Sequence, residues 1–406
     1  MRLLIISHKP PFPIVDGGCL AMNRFLDCLN EIEFIKEITY FSLATHKHPF
    51  NSESIPNKYN SKIKFKHHRV DTQIKLLPAL NDLIRGKSYN LSRFYSKDTS
   101  VSLLNLCDEN QFEIIIFESL FSCVYFDDLR KSGISKFIYR AHNIENLIWK
   151  NLSNNTSNPI KKWYINNLHL KLKKFEFNLI KEVNLIFPLS LKDEEFIKEN
   201  TFCRTEIIPV SMPTFDLKLD YTKTSLCFIG AFNWMPNVEA MKWFSNEVFS
   251  EVRIQFPSLE LHIAGTFSEN ISFLKEKEGI FLHGFVESSL DFIAKHGIFI
   301  APLRSGSGVK MKVLEAMSLG SPVVLSEKGA EGIIGNPSFC KDSSEFIEQI
   351  IRLLKNQKER EEIGIKGKQI IENFYNVKTI QNKLTKLMRE FTLENLSTKN
   401  QIKIDS

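Results

Sequence analysis

The 406-residue chain contains no apolar run approaching the ~18 residues that would cross a bilayer as a helix. It has no C-x-x-C pair, and its seven cysteines (Cys19, Cys28, Cys107, Cys123, Cys203, Cys227 and Cys340) are scattered and odd in number. That pattern argues against a disulfide framework or a cysteine zinc site and predicts reduced core thiols. The ten histidines are likewise dispersed, and His46, His48, His67 and His68 lack a metal-ligand framework and read as solvated residues. Strong charge of one sign is also missing. A formal net charge of +6 suits anionic small molecules or an anionic membrane surface and gives little footing for nucleic acid. There is no solenoid repeat and no low-complexity tract. One basic residue precedes Leu3–Ile6 and Ser7-His8-Lys9 follows, which predicts a first strand and not a signal peptide.

What is present is an ordinary globular composition, 43% hydrophobic and 25% charged, on a chain long enough for two cores. Short apolar runs alternate with helical periodicity throughout, the mark of an α/β architecture built on parallel sheets. Strands are predicted at Leu3–Ser7, 39–44, 62–70, Phe112–Phe117, Phe137–Tyr139 and Leu185–Phe187. The basic and apolar alternation of 62–70 marks a half-exposed edge. Polar residues between Glu206 and Thr224 predict a hinge. Strands resume at Leu226–Gly230, Leu259–Ala264 and Ile280–Val286. Ser190 and Asp193 form a capping pair, and Asn237 reads as the cap of the helix after Gly230. Helix Ile160–Lys181 is basic and amphipathic. It reads either as a helix packed on its own sheet or as a peripheral contact with an anionic membrane.

The segment Ile298–Ser326 reads as strand, glycine loop, helix and strand. Pro302 ends the strand Ile298–Ala301, and Gly306 and Gly308 allow close backbone approach to a ligand. From Val309 the apolar residues recur at helical spacing, and Gly320-Ser321-Pro322 is a stop signal before Val323–Leu325. The helix start offers free amides to an anion, with Arg304, Lys310 and Lys312 around it. Glu315 shares a helix face with Lys312, and a carboxylate there can accept hydrogen bonds from vicinal hydroxyls. The alternative is an exposed Lys/Glu pair on a helix that only packs on a sheet. Gly17 and Gly18, after Pro10-Pro11-Phe12-Pro13, could let a phosphate or sugar approach backbone amides, or could form a simple turn. His142, past a parallel strand, is placed to meet a ligand, with Glu145 orienting it or beginning a helix.

PLRSGSGVKMKVLEAMSLGSPVV resembles the donor-binding segment of retaining glycosyltransferases of family 4, in the variant group with R-x-G-x-G and K-x-L-E-A. GAFNWMPNVEAMKWF, RAHNIE and the Pro-Pro-Phe-Pro loop resemble further segments of that family. The resemblance implies the GT-B fold: two Rossmann-like domains facing each other across a cleft, with the C-terminal helix packing back on the first domain. The expected boundaries are 1–208 on the acceptor side, 209–376 for the nucleotide sugar, and 377–406 for the returning helix and a polar tail.

The resemblance further implies transfer of a sugar from a nucleotide-diphosphate donor to a glycan or lipid-linked acceptor with retention, in bacterial surface polysaccharide synthesis at the cytoplasmic face. His142, Arg304 and Lys312 take catalytic roles in this expectation. Gly17, Gly18, Asn233, Phe285, Gly306, Ser307, Gly308, Lys310 and Glu315 bind the donor, with Glu315 on the ribose. Arg140, Asn143 and Glu145 lie on the acceptor or sugar side. Two departures stand out: Ser307 replaces a glutamate usual in the family, and the 230–237 loop lacks the usual arginine and lysine. No D-x-D motif occupies a plausible donor loop, so neither metal nor another cofactor is expected. An epimerase of the same fold and a non-catalytic nucleotide-sugar binder remain open on these residues.

Overall fold

A computed structural model describes residues 1–215 and 219–402, with 394–402 described by backbone alone. The end of the expected polar tail, residues 403–406, and part of the expected hinge, residues 216–218, lie outside the described residues. The chain divides into two compact units, Met1–Ser211 with Ile380–Ser406, and Met212–Thr379.

In the first unit, strands β1 (Arg2–Ser7), β2 (Glu37–Ala44), β3 (Ile63–Arg69), β4 (Ile114–Glu118), β5 (Phe137–Ala141), β6 (Leu185–Pro188) and β7 (Arg204–Thr205) form one sheet. Their order is β3-β2-β1-β4-β5-β6-β7, with every pairing parallel. Helices cover both faces of such a sheet, so central strands are apolar without alternation, as Leu3–Ile6 and Ile114–Phe117 are. β3 lies at the edge, and its alternation of lysine with Ile63 and Phe65 fits one covered face. The order reverses between β1 and β4, so the crevice for ligands lies past the carboxyl ends of those two strands.

The second unit holds β8 (Leu226–Ile229), β9 (Leu261–Ala264), β10 (Ile280–Gly284), β11 (Ile298–Ala301) and β12 (Val323–Leu325), ordered β10-β9-β8-β11-β12 and all parallel. Its switch point falls between β8 and β11. The loop after β11 and the residues after β8 therefore meet at one place.

Several element boundaries differ from expectation by one to a few residues. β4 runs to Glu118, one residue past the apolar run, because a buried arginine pairs with that carboxylate. The helix expected from Val309 begins at Met311, since Gly306 and Gly308 hold positive φ (98° and 75°) and Lys310 is extended. The last helix spans Val377–Ile402. Its Ile380, Leu384, Leu387, Met388 and Phe391 are buried at helical spacing. Within the first unit it is tied down by Lys136, which donates to the Thr392 carbonyl (2.9 Å), and by an Arg204–Glu390 ion pair at 2.8 Å. The seven cysteines are free thiols, six of them buried. Among the described residues, no helix is long and apolar enough to cross a membrane.

Candidate active site

In the second unit the site grows from the carboxyl ends of β8 and β11. Ser326 donates to the carbonyl of Ala301 (3.2 Å) and also bonds Leu303, pinning the chain as it leaves β11. Gly306 then turns with φ +98°, and a Cβ there would meet the Trp234 ring at 2.7 Å. Only glycine fits both conditions, which locks the glycine loop onto the loop after β8. Ser305 adds a hydrogen bond to Glu239 at 3.0 Å. The helix Met311–Leu319 follows, and its first amides have no intrahelical acceptor.

Lys312 ties this helix to the residues after β8. Its ammonium donates to Asn237 Oδ1 at 3.0 Å and lies 4.7 Å over the Phe228 ring. A Cβ on Gly230 would stand 2.6 Å from Lys312 Nζ, so the glycine is what makes room for it. Burial, then the neighbouring Lys310 charge, pull the Lys312 pKa down to about 7, with Glu315 partly opposing them. Glu315, one turn on, accepts from Ser289 Oγ at 3.1 Å and is half-buried. Lys310 is buried and bonds back to the Gly308 carbonyl. The structure thus brings Lys310, Lys312, Glu315, Gly306 and Gly308 to one loop mouth. Arg304 is exposed and stacks over the Trp243 ring at 5.5 Å, an orientation that differs from the two lysines. Ser307 is half-buried in the loop, Asn233 is exposed after β8, and Phe285 is exposed after Gly284 in the turn beyond β10.

Asn237 is not the helix cap. The helix begins at Met235 with Pro236 in its first turn, where a missing amide costs nothing, so Asn237 is its third residue. Its amide donates to the Ala231 carbonyl at 2.8 Å, which leaves its oxygen for Lys312.

In the first unit, Asp16 caps helix Gly17–Asn30 by accepting from the Cys19 amide at 2.8 Å. Lys9 grips the same carboxylate at 2.6 Å, and His48 approaches it at 3.3 Å. Burial alone would raise the Asp16 pKa, but His48 and Lys9 together hold it well below the usual range. A Cβ on Gly18 would stand 2.9 Å from Lys9 Nζ, so that glycine accommodates the lysine, while the Gly17 and Gly18 amides sit in the first helical turn.

At the switch point of this sheet, Glu118, Arg140 and His142 form one buried cluster. Arg140 donates to Glu118 Oε2 at 2.8 Å, and His142 Nε2 lies 2.6 Å from the same oxygen. Arg140 is 1% exposed, stacks over Phe25 at 4.4 Å and also donates to the Ala21 carbonyl. It positions His142 and does not itself face solvent, which differs from its expected place among the acceptor contacts. Burial opposes ionisation of Glu118, yet Arg140 and then His142 keep its pKa below the usual value. Burial lowers the His142 pKa against the pull of Glu118. His8, beside Glu118 and the rings of Phe94 and Phe121, is held still lower by burial and by Lys9. Glu118 and His8 carried no motif signal; only the end of an apolar strand marked their places.

Glu145 does not orient His142. It begins helix Glu145–Asn154, and both its amide and that of Asn146 are capped by Glu176, at 3.0 and 2.9 Å. Burial, then the Glu176 charge, pushes the Glu145 pKa up to about 8, and burial pushes Glu176 to about 7. Asn143 is half-buried ahead of that helix. An acid whose folded pKa exceeds its unfolded value of ~4.3 keeps a proton that the unfolded chain has lost, so stability falls as pH rises between the two. Glu145→Gln removes that loss. Its stability relative to the parent chain should rise by more than ~1.4 kcal/mol, the worth of one pKa unit, from about pH 5 to pH 8. Urea midpoints at both pH values measure this, and a flat difference would show that Glu145 is ionised throughout.

Residues 223–356 match the family model described as glycosyl transferases group 1. A Klebsiella pneumoniae protein described as an uncharacterized 44.6 kDa protein in a cps region is 24% identical over 402 residues, covering 95% of this chain and 99% of that protein. Among solved structures, sucrose-phosphate synthase from Thermosynechococcus elongatus superposes with a TM-score of 0.69 at 13% identity, covering 96% of this chain and 98% of the other. Anabaena Alr3699/HepE, solved in complex with UDP and glucose, gives 0.65 at 12% identity over 96% and 100% of the two chains. TarM gives 0.64 at 11% identity over 95% and 98%. The fold that this chain shares with them is GT-B.

Proposed function

We propose that this chain, whose residues 223–356 match the glycosyl transferases group 1 family model, belongs to that family and moves a sugar from a nucleoside-diphosphate donor to a hydroxyl of a glycan or lipid-linked acceptor, with retention. The observation that carries this reading is the Lys312–Glu315 pair on one face of the helix that follows the glycine loop, at the switch point of the second sheet. Glu315 accepts hydrogen bonds from the ribose hydroxyls. The first amides of the helix, with Lys310 and Lys312, meet the diphosphate, whose negative charge grows as the sugar C1–O bond breaks. The acceptor oxygen forms the new bond to C1 on the face that the diphosphate leaves, and its proton passes to a diphosphate oxygen. Positioning and charge stabilisation then supply the rate, without a dedicated base. His142, held by Glu118, offers a neutral imidazole for a sugar or acceptor hydroxyl. The relative from a cps region supports surface polysaccharide assembly as the setting.

The test is Glu315→Ala. Nucleoside-diphosphate affinity by calorimetry should fall by about 1.5–3 kcal/mol, the worth of hydrogen bonds to a charged group, while inorganic pyrophosphate affinity stays unchanged. Equal loss for both ligands, or none, would remove Glu315 from the ribose.

A lipid-linked acceptor requires access to a membrane surface. Helix Leu76–Ile84 suits that better than the basic helix Pro159–Glu182, whose Leu168 and Leu172 are buried in its own unit. Ile74, Leu76, Leu77, Leu80 and Ile84 are all more than half exposed, with Arg85 and Lys87 immediately after them. Apolar side chains flanked by cations fit an anionic leaflet. The chain should co-sediment with vesicles containing anionic lipid and not with zwitterionic ones. Replacing Leu76, Leu77 and Leu80 by serine should abolish this, and retained sedimentation would exclude this helix as the docking element.

A further inference from the structure

Three histidines far apart in sequence converge on one side of the second sheet. His262 lies in β9 and His283 in β10, where pairing of Phe281 with His262 and the two-residue strand period place both imidazoles on one face. The register shifts between Leu282 and Gly284, and such irregularities re-aim a side chain. His296 arrives from the turn between helix Ser289–Ala294 and β11, its ring stacked on that of His262 with centroids 4.1 Å apart, and it would turn about its side-chain bonds to share an ion with His262. One nitrogen from each ring lies within 4.8 Å of the other two.

One pair of these nitrogens is closer still. His262 Nδ1 and His283 Nε2 are 3.0 Å apart. That is a hydrogen-bond contact between the rings, and two nitrogens bound to one tetrahedral ion at ~2.0–2.1 Å stand ~3.3–3.4 Å apart, so a small outward shift of one ring opens the pair to an ion. His262 Nε2 lies 3.1 Å from the Glu260 carboxylate, the outer contact that fixes the tautomer of a ligating imidazole and raises its basicity. His296 Nδ1 faces Ser225 Oγ at 3.2 Å, which leaves Nε2 as its ligating atom. His283 is exposed, so its ring can adjust to close the remaining distances. A cavity of about 640 Å³, lined by Glu260, His262 and His296 among others, gives an ion and its water ligands a way in.

We propose that His262, His283 and His296 bind one divalent transition cation of the zinc, cobalt or nickel class, with Glu260 as the outer carboxylate. Three neutral imidazoles and an open fourth position suit such borderline ions and not calcium or magnesium, which take oxygen ligands. The ion ties β10 to β9 and to the start of β11, and fixes the strand that leads into the Gly284–Phe285 turn. This assignment is independent of the glycosyl-transfer reading.

Titration of the full chain with Co2+ tests it, because cobalt absorption separates imidazole from thiolate ligation. One equivalent should bind without a thiolate charge-transfer band and be displaced by Zn2+. His283→Ala, at an exposed position, should lower the affinity by at least ~100-fold, and Glu260→Gln by ~10–100-fold, both with unchanged urea midpoints in the absence of metal. Affinity unaltered in both variants, thiolate bands, or no binding at millimolar Co2+ would each overturn the site.

Discussion

Lys312→Met should lower kcat/KM for the nucleotide sugar by about 10²–10³-fold, the usual effect of removing one preorganised donor from a developing anion. The substitution keeps an unbranched apolar stem of nearly the same length and removes only the ammonium, so the fold loses little. The pH profile identifies the group. In the free chain the Lys312 pKa is pulled down to about 7, so half the molecules lack the charge near neutrality. A bound diphosphate favours the ammonium, which raises the liganded pKa, and binding above neutrality therefore takes up a proton. Affinity should fall by up to ~10-fold per pH unit above about pH 7, and this decline should vanish in Lys312→Met. Gly230→Ala should reproduce part of the loss, because the new methyl occupies the position of the ammonium. A fall in affinity with pH that persists in Lys312→Met would assign the titration elsewhere.

Glu118→Ala should destabilise the first unit by about 3–5 kcal/mol. It leaves a guanidinium that is 1% exposed without its counter-charge, and an unpaired buried ion is worth that much. Glu118→Met/Arg140→Met should recover most of the loss, since an apolar pair of similar volume is often neutral in such a place. The double variant would still lack the carboxylate that holds His142 at 2.6 Å, so turnover should stay low although stability returns. Urea unfolding of the two variants, read beside kcat, separates these effects. A loss below about 1 kcal/mol in the single variant, or none recovered in the double, would contradict a buried ion pair.

The parallel sheets, the positions of most strands and the loop–helix–strand unit around Gly306 were legible because their signals are local. Apolar runs, glycine punctuation and the 3.6-residue stripe from Val309 each lie within a few residues. What escaped the sequence joins residues far apart. Glu118 reaches His142 across 24 residues, Glu176 caps a helix 31 residues upstream, and Lys312 meets Asn237 across 75. Asn237 looked like a cap because asparagine before a helical run commonly is one, but Pro236 had already opened the helix. The histidines seemed dispersed for the same reason. Only strand pairing sets 262 beside 283.

The proposed function puts the donor diphosphate at the Gly306–Glu315 segment of the second unit. Hydrogen exchange of the full chain, with and without saturating nucleoside diphosphate, reads this directly. Slower exchange should appear in peptides covering residues 304–315 and 230–237, and should be lost in Lys312→Met. Protection confined to other segments, with 304–315 unchanged, would contradict it.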